Sequence, residues 1–129
     1  MDFRQLIGNK ILFFDGGMGT MLMQHGLKPG QLPDSMNLTD GEAVTAIHRK
    51  YLESGANIIS ANTFGANPIK LEGSGYSTEE IVSAGIANAK NAAKDFKDAF
   101  VGLDIGMPGN SPATRWNFGS RYIQRVLFC

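Results

Sequence analysis

Three short, mainly apolar runs, each with a polar residue at or near its end (Asp15, Asn62 or Asp104), constrain the fold of this chain more than any other feature. They lie at residues 11–14 (ILFF), 56–64 (ANIISANTF) and 99–106 (AFVGLDIG), and long segments separate them. Short continuous apolar runs are typical of strands covered on both faces, and strands joined through helices lie parallel. The order of elements therefore predicts an α/β fold with a parallel sheet.

The segment between the first two runs has a clear helical signal. Its apolar residues recur at helical spacing from Ala43 to Leu52. We expect Thr39 to cap this helix and Ser54-Gly55 to end it. A brief helix over residues 19–24 is expected before it, separated by a loop rich in glycine and proline.

The segment before the third run predicts a second long helix. Ser77 and Glu80 have the spacing of a capping box, in which each side chain satisfies a free backbone N–H group at the start of a helix. We expect this helix to continue through about Phe96. It completes the order strand, helix, strand, helix, strand.

The charge distribution divides the chain near residue 106. Residues 1–106 hold nine basic and twelve acidic residues, a balance of −3, whereas residues 107–129 hold three arginines and no acid, a balance of +3. No hydrophobic period extends over more than a few residues of the second part. We expect residues 1–106 to form the folded unit and 107–129 to be an unmatched tail of frameshifted or vector-derived origin. The alternative is a C-terminal strand or extension.

Several classes of protein are excluded by composition. The formal net charge of zero provides no basic field for nucleic acid or for an anionic membrane. Cys129 is the only cysteine, so neither a disulfide nor a paired-cysteine metal site can form within the chain. No apolar run approaches the roughly 18 residues of a membrane span, and the first ten residues do not resemble a signal peptide. We expect a cytoplasmic protein.

The turn DGGMGT, residues 15–20, raises the question of phosphate binding. Its glycines do not have the spacing of a dinucleotide fingerprint, and no lysine completes a P-loop. Asp15 would repel a phosphate held in this turn by on the order of 4 kcal/mol per charge pair at an effective dielectric constant of about 20. The same carboxylate suits an ammonium group, and the N–H groups of Gly16 and Gly17 suit a carboxylate. The turn therefore favours an amino acid as ligand, and a phosphate-binding α/β domain is the weaker alternative.

Each candidate residue also has a purely structural interpretation. Asp15 and Asp104 could be ordinary turn acids, and Thr63 could be a buried hydroxyl bonded to a neighbouring carbonyl. The remaining candidates are expected in surface or core roles rather than as metal ligands. They are His25, His48, Met18, Met21 and Met23.

Taken in order, three stretches resemble the homocysteine S-methyltransferase family. They are ILFFDGGMGTMLM, AIHRKYLESGANIISANTFGAN and VGLDIG, and the match covers about residues 6–106, which is most of the chain. Within the family, the resemblance is strongest to the first barrel of the cobalamin-dependent methionine synthase branch. The family fold is a (β/α)8 TIM barrel, so the resemblance implies that residues 1–106 are its first three β/α units and form a partial homocysteine-binding barrel.

The resemblance also implies roles for four residues. Asp15 matches the family acid that holds the homocysteine ammonium, Gly16 and Gly17 contribute backbone amides, and Thr63 matches the threonine of the NTF motif in the same pocket. The family uses zinc, bound by three cysteines on later strands, to activate the homocysteine thiol, and its cobalamin branch uses methylcobalamin as methyl donor. Those cysteines have no counterpart here, so we expect no metal and no cofactor bound by this chain.

A complete barrel typically needs about 250 residues, about twice the length of this chain. We therefore expect a truncated N-terminal part of a homocysteine S-methyltransferase that keeps the amino-acid contacts and is inactive alone. Exposed sheet edges would favour self-association. The alternative is a non-catalytic module that binds an amino acid or associates with itself.

Overall fold

The computed structural model describes residues 3–106 and the backbone of residues 127–128. The described helices are α1 (Phe3–Leu6), α2 (Met18–Gln24), α3 (Met36–Thr39), α4 (Gly41–Glu53) and α5 (Thr78–Ala93), with a 3-10 turn at Pro33–Ser35. The described strands are β1 (Ile58–Ser60), β2 (Phe100–Leu103) and β3 (Leu127–Phe128). This order is an α/β arrangement, as the sequence predicts. The expected tail at 107–129 lies outside the described residues except for β3.

The sheet has the order β1-β2-β3. Strands β1 and β2 are parallel, with Ile59 opposite Val101, which confirms the parallel connection predicted for them. Strand β3 runs antiparallel to β2, with Leu103 opposite Leu127. The helix α5 makes the crossover between the two parallel strands.

The predicted first strand is not a regular strand. Residues 11–14 form a single parallel bridge, Phe14 with Ile58, on the side of β1 away from β2. The Phe13 carbonyl accepts hydrogen bonds from the N–H groups of Asn57 and Ile58, at 2.8 and 3.0 Å. Ile11, Phe13 and Phe14 are 77%, 61% and 55% exposed, so the expected cover on both faces was wrong. Among the described residues this segment has a sheet neighbour only at β1.

The other two strands are shorter than the apolar runs that predict them. After Ser60, the Ala61 N–H still bonds across the sheet to the Gly102 carbonyl at 2.8 Å, but the Thr63 N–H bonds back to the Ala61 carbonyl at 2.8 Å. The backbone therefore turns out of the sheet after Ala61, which places the polar residues Asn62 and Thr63 just beyond the end of β1.

The cap of α4 differs from the sequence expectation. The Asp40 carboxylate accepts the Ala43 N–H at 3.1 Å, whereas the Thr39 hydroxyl donates to the carbonyl of Ser35, the residue before α3. The cap moves by one residue because Thr39 still belongs to the preceding helix. The C-terminus is as predicted, since Gly55 has a φ of 104°, a conformation that glycine adopts without strain.

The capping box of α5 is confirmed. The Glu80 N–H donates to the Ser77 hydroxyl at 3.1 Å, and the Ser77 N–H donates to the Glu80 carboxylate at 2.8 Å. The helix ends at Ala93, three residues before the predicted end. Phe96 follows in a turn and lies 5.5 Å below the guanidinium of Arg49, which joins α4 to the end of α5.

Two clusters of buried residues form the core, and Tyr51 packs against both. One cluster joins α2, α3 and α4, with Met18 and Met21 at its edge. The other joins α4 and α5 to the sheet, with Ile59 and Val101 at its centre. Met18 and Met21 therefore pack as expected, whereas Met23 is 62% exposed. Within the described residues, no helix has both the length and the apolar surface needed to cross a bilayer.

Candidate functional site

A cavity of about 400 Å³ lies where the polar ends of the apolar runs meet. The four residues predicted to bind substrate, Asp15, Gly16, Gly17 and Thr63, all line it, and Asp104 lies on the same wall. This grouping follows from the parallel sheet, because the carboxyl ends of parallel strands lie at the same end of the sheet. The structure thus brings together residues up to 89 positions apart in the sequence.

Asp15 is held beside β1 by two hydrogen bonds to the backbone of that strand, one through its N–H and one through its carboxylate. Its N–H donates to the Ile58 carbonyl at 2.9 Å, and its Oδ2 accepts the Ser60 N–H at 2.9 Å. Burial raises the pKa of the Asp15 carboxyl, and the negative charge of Asp104 raises it further. The hydrogen bonds from Ser60 lower this pKa but do not cancel the effect of burial. A cationic ligand group next to Asp15 would relieve both of the unfavourable effects.

The two glycines of the turn lie against Tyr51. A Cβ atom at Gly16 would lie 3.0 Å from the tyrosine ring and hydroxyl, and the Tyr51 hydroxyl donates to the Gly17 carbonyl at 2.8 Å. Gly17 then begins α2 without a side-chain cap. Because Tyr51 lies this close, a side chain at Gly16 would displace the turn that carries Asp15.

Thr63 is a buried hydroxyl bonded to neighbouring carbonyls. It is 3% exposed, and its Oγ1 donates to the Asp104 carbonyl at 2.7 Å, with the Ala61 carbonyl at 3.4 Å. This is the structural interpretation that the sequence left open. A hydroxyl has one proton, so Thr63 can offer a ligand only its acceptor lone pairs while this bond is made.

Asp34 is a residue of the cavity wall that sequence reasoning missed. It is 3% exposed, and its Oδ1 accepts the Gly65 N–H at 2.8 Å. Burial raises the pKa of the Asp34 carboxyl, opposed by the Gly65 hydrogen bond and by the positive charge of Lys70. A Cβ atom at Gly65 would lie 2.7 Å from Asp34 Oδ2, so this close approach requires glycine. No local pattern indicates a contact between residues 31 positions apart.

A buried pair of asparagine side chains holds the Asp34 segment against the turn that follows β1. The Asn37 amide donates to the Asn62 carbonyl at 2.7 Å, and the Asn62 amide donates to the Pro33 carbonyl at 2.9 Å and to Asn37 Oδ1 at 3.1 Å. Buried polar groups that satisfy one another in this way fix a single arrangement. The pair therefore positions Asp34 at the cavity.

Lys70 is the only cationic side chain on the cavity wall within the described residues. Its ammonium group lies 5.1 Å from the centre of the Phe64 ring, and it is not within 4.0 Å of a carboxylate in the described part of the chain. Three carboxylates against one lysine give the cavity a negative balance when all are ionised. Such a wall disfavours a phosphate, as the argument from Asp15 predicts.

The two histidines lie away from this cavity. His25 is exposed at the end of α2, and His48 is fully buried on α4. The surface and core roles expected for them agree with these positions.

Comparisons with known proteins agree on one family. The sequence profile of the homocysteine S-methyltransferase family matches residues 12–124, which extends past residue 106. Methionine synthase of Mycobacterium leprae (strain TN) is 31% identical over 72 residues, covering 51% of this chain and 6% of that protein. The chain therefore spans only a small part of this relative.

Solved structures show the same fold. The homocysteine methyltransferase MmuM from Escherichia coli matches with a TM-score of 0.71 at 18% identity in its metallated form, over 80% of this chain and 40% of that one. Its oxidized form matches with the same TM-score and coverage at 20% identity. Because the family profile covers most of the sequence, this chain belongs to the homocysteine S-methyltransferase family.

Proposed function

We propose that this chain supplies the amino-acid-binding part of a homocysteine S-methyltransferase, which transfers a methyl group to the homocysteine thiol to give methionine. The observation that carries the proposal is the position of Asp15, whose carboxylate lines the cavity beside the glycine turn and is fixed by the Ser60 N–H. The acid suits the ammonium group of the substrate, and the backbone of Gly16 and Gly17 suits its carboxylate. Thr63 completes the same wall.

The proposal includes the fold and the extent of the chain. We infer that the described residues are the first β/α units of a (β/α)8 barrel, because β1 and β2 are parallel, α5 connects them, and the chain matches 40% of a solved homocysteine methyltransferase. In such barrels the site forms at the carboxyl ends of several strands. The cavity has that location.

Zinc, which the family resemblance implies, does not fit the donor set of this cavity. Its wall in the described part of the chain offers oxygen atoms and one lysine, whereas zinc that activates a thiol is held by thiolate or imidazole ligands. No group of three or more histidine, cysteine or acidic side chains within residues 3–106 could hold a metal ion. The proposed role of this chain is therefore to bind and orient the amino-acid end of homocysteine, with no step through zinc or a cobalamin.

Calorimetric titration of the chain with homocysteine tests the binding role. We expect Asp15→Asn to weaken binding by about 10-fold or more, because a hydrogen bond to a charged group contributes about 1.5–3 kcal/mol. Glu79→Gln is the matched control, since it removes the same charge from an exposed position on α5. Absence of heat with the unsubstituted chain would contradict the proposal.

We also propose that the chain alone forms no methionine and binds no stoichiometric zinc. Purified protein would be assayed for methionine in the presence of homocysteine and a methyl donor, and its metal content would be measured. One zinc ion per chain, or turnover, would show that the catalytic part is present after all.

The second candidate function is a self-associating module. The exposed side chains of Ile11, Phe13 and Phe14 favour it, because an apolar edge segment can pair with another chain. This candidate requires no ligand in the cavity, so the titration with homocysteine distinguishes the two.

A further inference from the structure

The turn that follows β1 continues into a loop, residues 64–70, that forms part of the cavity wall. Phe64, Gly65 and Lys70 of this loop line the cavity. The Lys70 ammonium lies 5.1 Å from the centre of the Phe64 ring, so the two ends of the loop contact each other. The loop therefore presents its side chains to the cavity as one unit.

One hydrogen bond joins this loop to the segment before α3. The Gly65 N–H donates to Asp34 Oδ1 at 2.8 Å. The other hydrogen bonds that residues 64–70 make within the described part of the chain stay between residues 63 and 71. Without the Asp34 carboxylate, the loop has no hydrogen bond to any other described segment.

The contact between Asp34 and Gly65 is buried and close. Asp34 is 3% exposed, and a Cβ atom at residue 65 would lie 2.7 Å from its Oδ2 and 2.9 Å from Leu32 Cδ1. Gly65 does not have a positive φ, so the approach of Asp34, and not the backbone conformation, requires glycine here. A hydrogen bond to a carboxylate is stronger than one between neutral groups, above all where water is excluded.

The segment that carries Asp34 is attached to the chain after β1 at two points. One is the bond to Gly65, and the other is the Asn62 amide, which donates to the Pro33 carbonyl at 2.9 Å. Two attachments fix the orientation of the turn as well as its position. Thr63, which lies on the cavity wall, stands between them in the sequence.

We propose that Asp34 is a positioning residue for the substrate, because its carboxylate holds loop 64–70 and the preceding Thr63 in the arrangement that binds the amino-acid end of homocysteine. This inference rests on the proposed function and adds to it a residue that acts through Gly65. Loss of the hydrogen bond lets the loop move away from the cavity. Ordering the loop again on binding then lowers the affinity for the ligand.

Amide hydrogen exchange, followed by NMR without ligand, tests the hydrogen bond itself. We expect Asp34→Ala to speed exchange of the Gly65 N–H about tenfold or more, while the Ala61 N–H, which bonds to the Gly102 carbonyl in the sheet, is unchanged. Asp34→Asn keeps an oxygen that can accept the bond and should keep the Gly65 N–H protected. Unchanged exchange at Gly65, or equal acceleration at Gly65 and Ala61, would overturn the proposal.

Calorimetric titration with homocysteine tests the consequence for binding. We expect Asp34→Ala to weaken binding about tenfold or more, and Asp34→Asn to bind about threefold or more tightly than Asp34→Ala, because it restores the acceptor. Asp40→Ala is the matched control, since it removes a carboxylate that accepts a backbone N–H outside the cavity, and it should leave the affinity unchanged. Equal affinities of the two Asp34 variants, or an equal loss in Asp40→Ala, would overturn the positioning role.

Gly65→Ala tests the same contact from the side of the loop, with the Asp34 carboxylate in place. Its methyl group would meet Asp34 Oδ2, so the loop or the carboxylate must shift, and we expect weaker binding of homocysteine than in the unsubstituted chain. In a chain that already carries Asp34→Ala, the added Gly65→Ala should cost less affinity than it does alone. Independent, additive losses would contradict the coupling.

The outcomes separate this inference from the function on which it rests. If the unsubstituted chain binds no homocysteine, the proposed function fails, and the exchange of the Gly65 N–H still decides whether Asp34 holds the loop. If homocysteine binds and Asp34→Ala binds it as tightly as the unsubstituted chain, only the role of Asp34 is overturned.

Discussion

His48 is a fully buried side chain on α4 whose two ring nitrogens have no hydrogen-bond partner within the described residues. Burial lowers the pKa of His48 from its usual 6.5 to about 4. The neutral ring leaves an N–H group unsatisfied, which typically costs about 1–3 kcal/mol. A single residue therefore makes the free energy of unfolding both lower and dependent on pH.

The pH dependence has a definite direction. Because the pKa is lower in the folded state, the unfolded chain takes up a proton at His48 as the pH falls below 6.5, and the folded chain does so only near pH 4. The neutral folded ring is fully favoured above pH 6.5, and that stability is lost as the pH falls toward 4. Between pH 7.5 and 5 the loss is about 2 kcal/mol at 1.36 kcal/mol per pKa unit.

Urea unfolding of His48→Leu at pH 7.5 and pH 5 measures this contribution. We expect the variant to lose about 2 kcal/mol less than the unsubstituted chain between the two pH values. His25→Gln, at an exposed position, is the control and should keep the original dependence. An unchanged difference in His48→Leu would show that other groups cause the effect.

At the scale of elements, α5 approaches the end of β1 so closely that one position on it requires glycine. A Cβ atom at Gly85 would lie 2.8 Å from both Asn37 Nδ2 and Thr63 Cγ2. The same helix supplies the Ile81 carbonyl that accepts the Asn37 amide at 3.2 Å. The packing of α5 therefore determines the position of the segment that carries Asp34.

Gly85→Ala should destabilise the chain despite the higher helix propensity of alanine. We expect a loss of about 1–3 kcal/mol from overpacking, reduced by up to about 1 kcal/mol of propensity. Gly19→Ala in α2 is the matched control, because its Cβ would meet no atom within 4 Å, and it should be neutral or stabilising. Chemical denaturation of both variants checks the expectation, and equal stabilities would contradict the close contact.

At the scale of the whole molecule, the described part of the chain has an apolar edge at residues 11–14. Phe13 and Asp15 bond to the backbone of β1, whereas Leu12 and Phe14 have no backbone hydrogen bond to another described residue. The exposed side chain of Ile11 lies on the same segment. Such an edge can pair with a second copy of the chain.

Sedimentation analysis of Ile11→Lys tests that pairing. We expect the unsubstituted chain to associate with increasing concentration and the variant to associate at least tenfold more weakly, because a lysine on an edge opposes strand pairing. Ile69→Lys, at another exposed apolar position away from the edge segment, should behave like the unsubstituted chain. Monomers at all concentrations in the unsubstituted chain would exclude the self-associating module.

Local signals in the sequence were enough for several elements. The Ser77-Glu80 box started α5, and Gly55 ended α4, because caps depend on residues within one turn. Apolar runs predicted the two parallel strands, but their ends were set by turns that no local pattern indicates. The first predicted strand failed for a different reason, since residues 11–14 form only a single bridge to β1 and have no second sheet neighbour among the described residues.

The sequence by itself determined the α/β order, the family, and the acid and glycines of the turn at residues 15–17, because these depend on spacing along the chain. Only the tertiary structure decided which side chains share the cavity. Asp34 reaches it through Gly65 and the buried asparagine pair, and Thr63 contacts the Asp104 carbonyl across 41 positions of sequence. Such contacts arise from the meeting of strand ends and the close approach of a helix, and their energy depends on burial, which no single segment specifies.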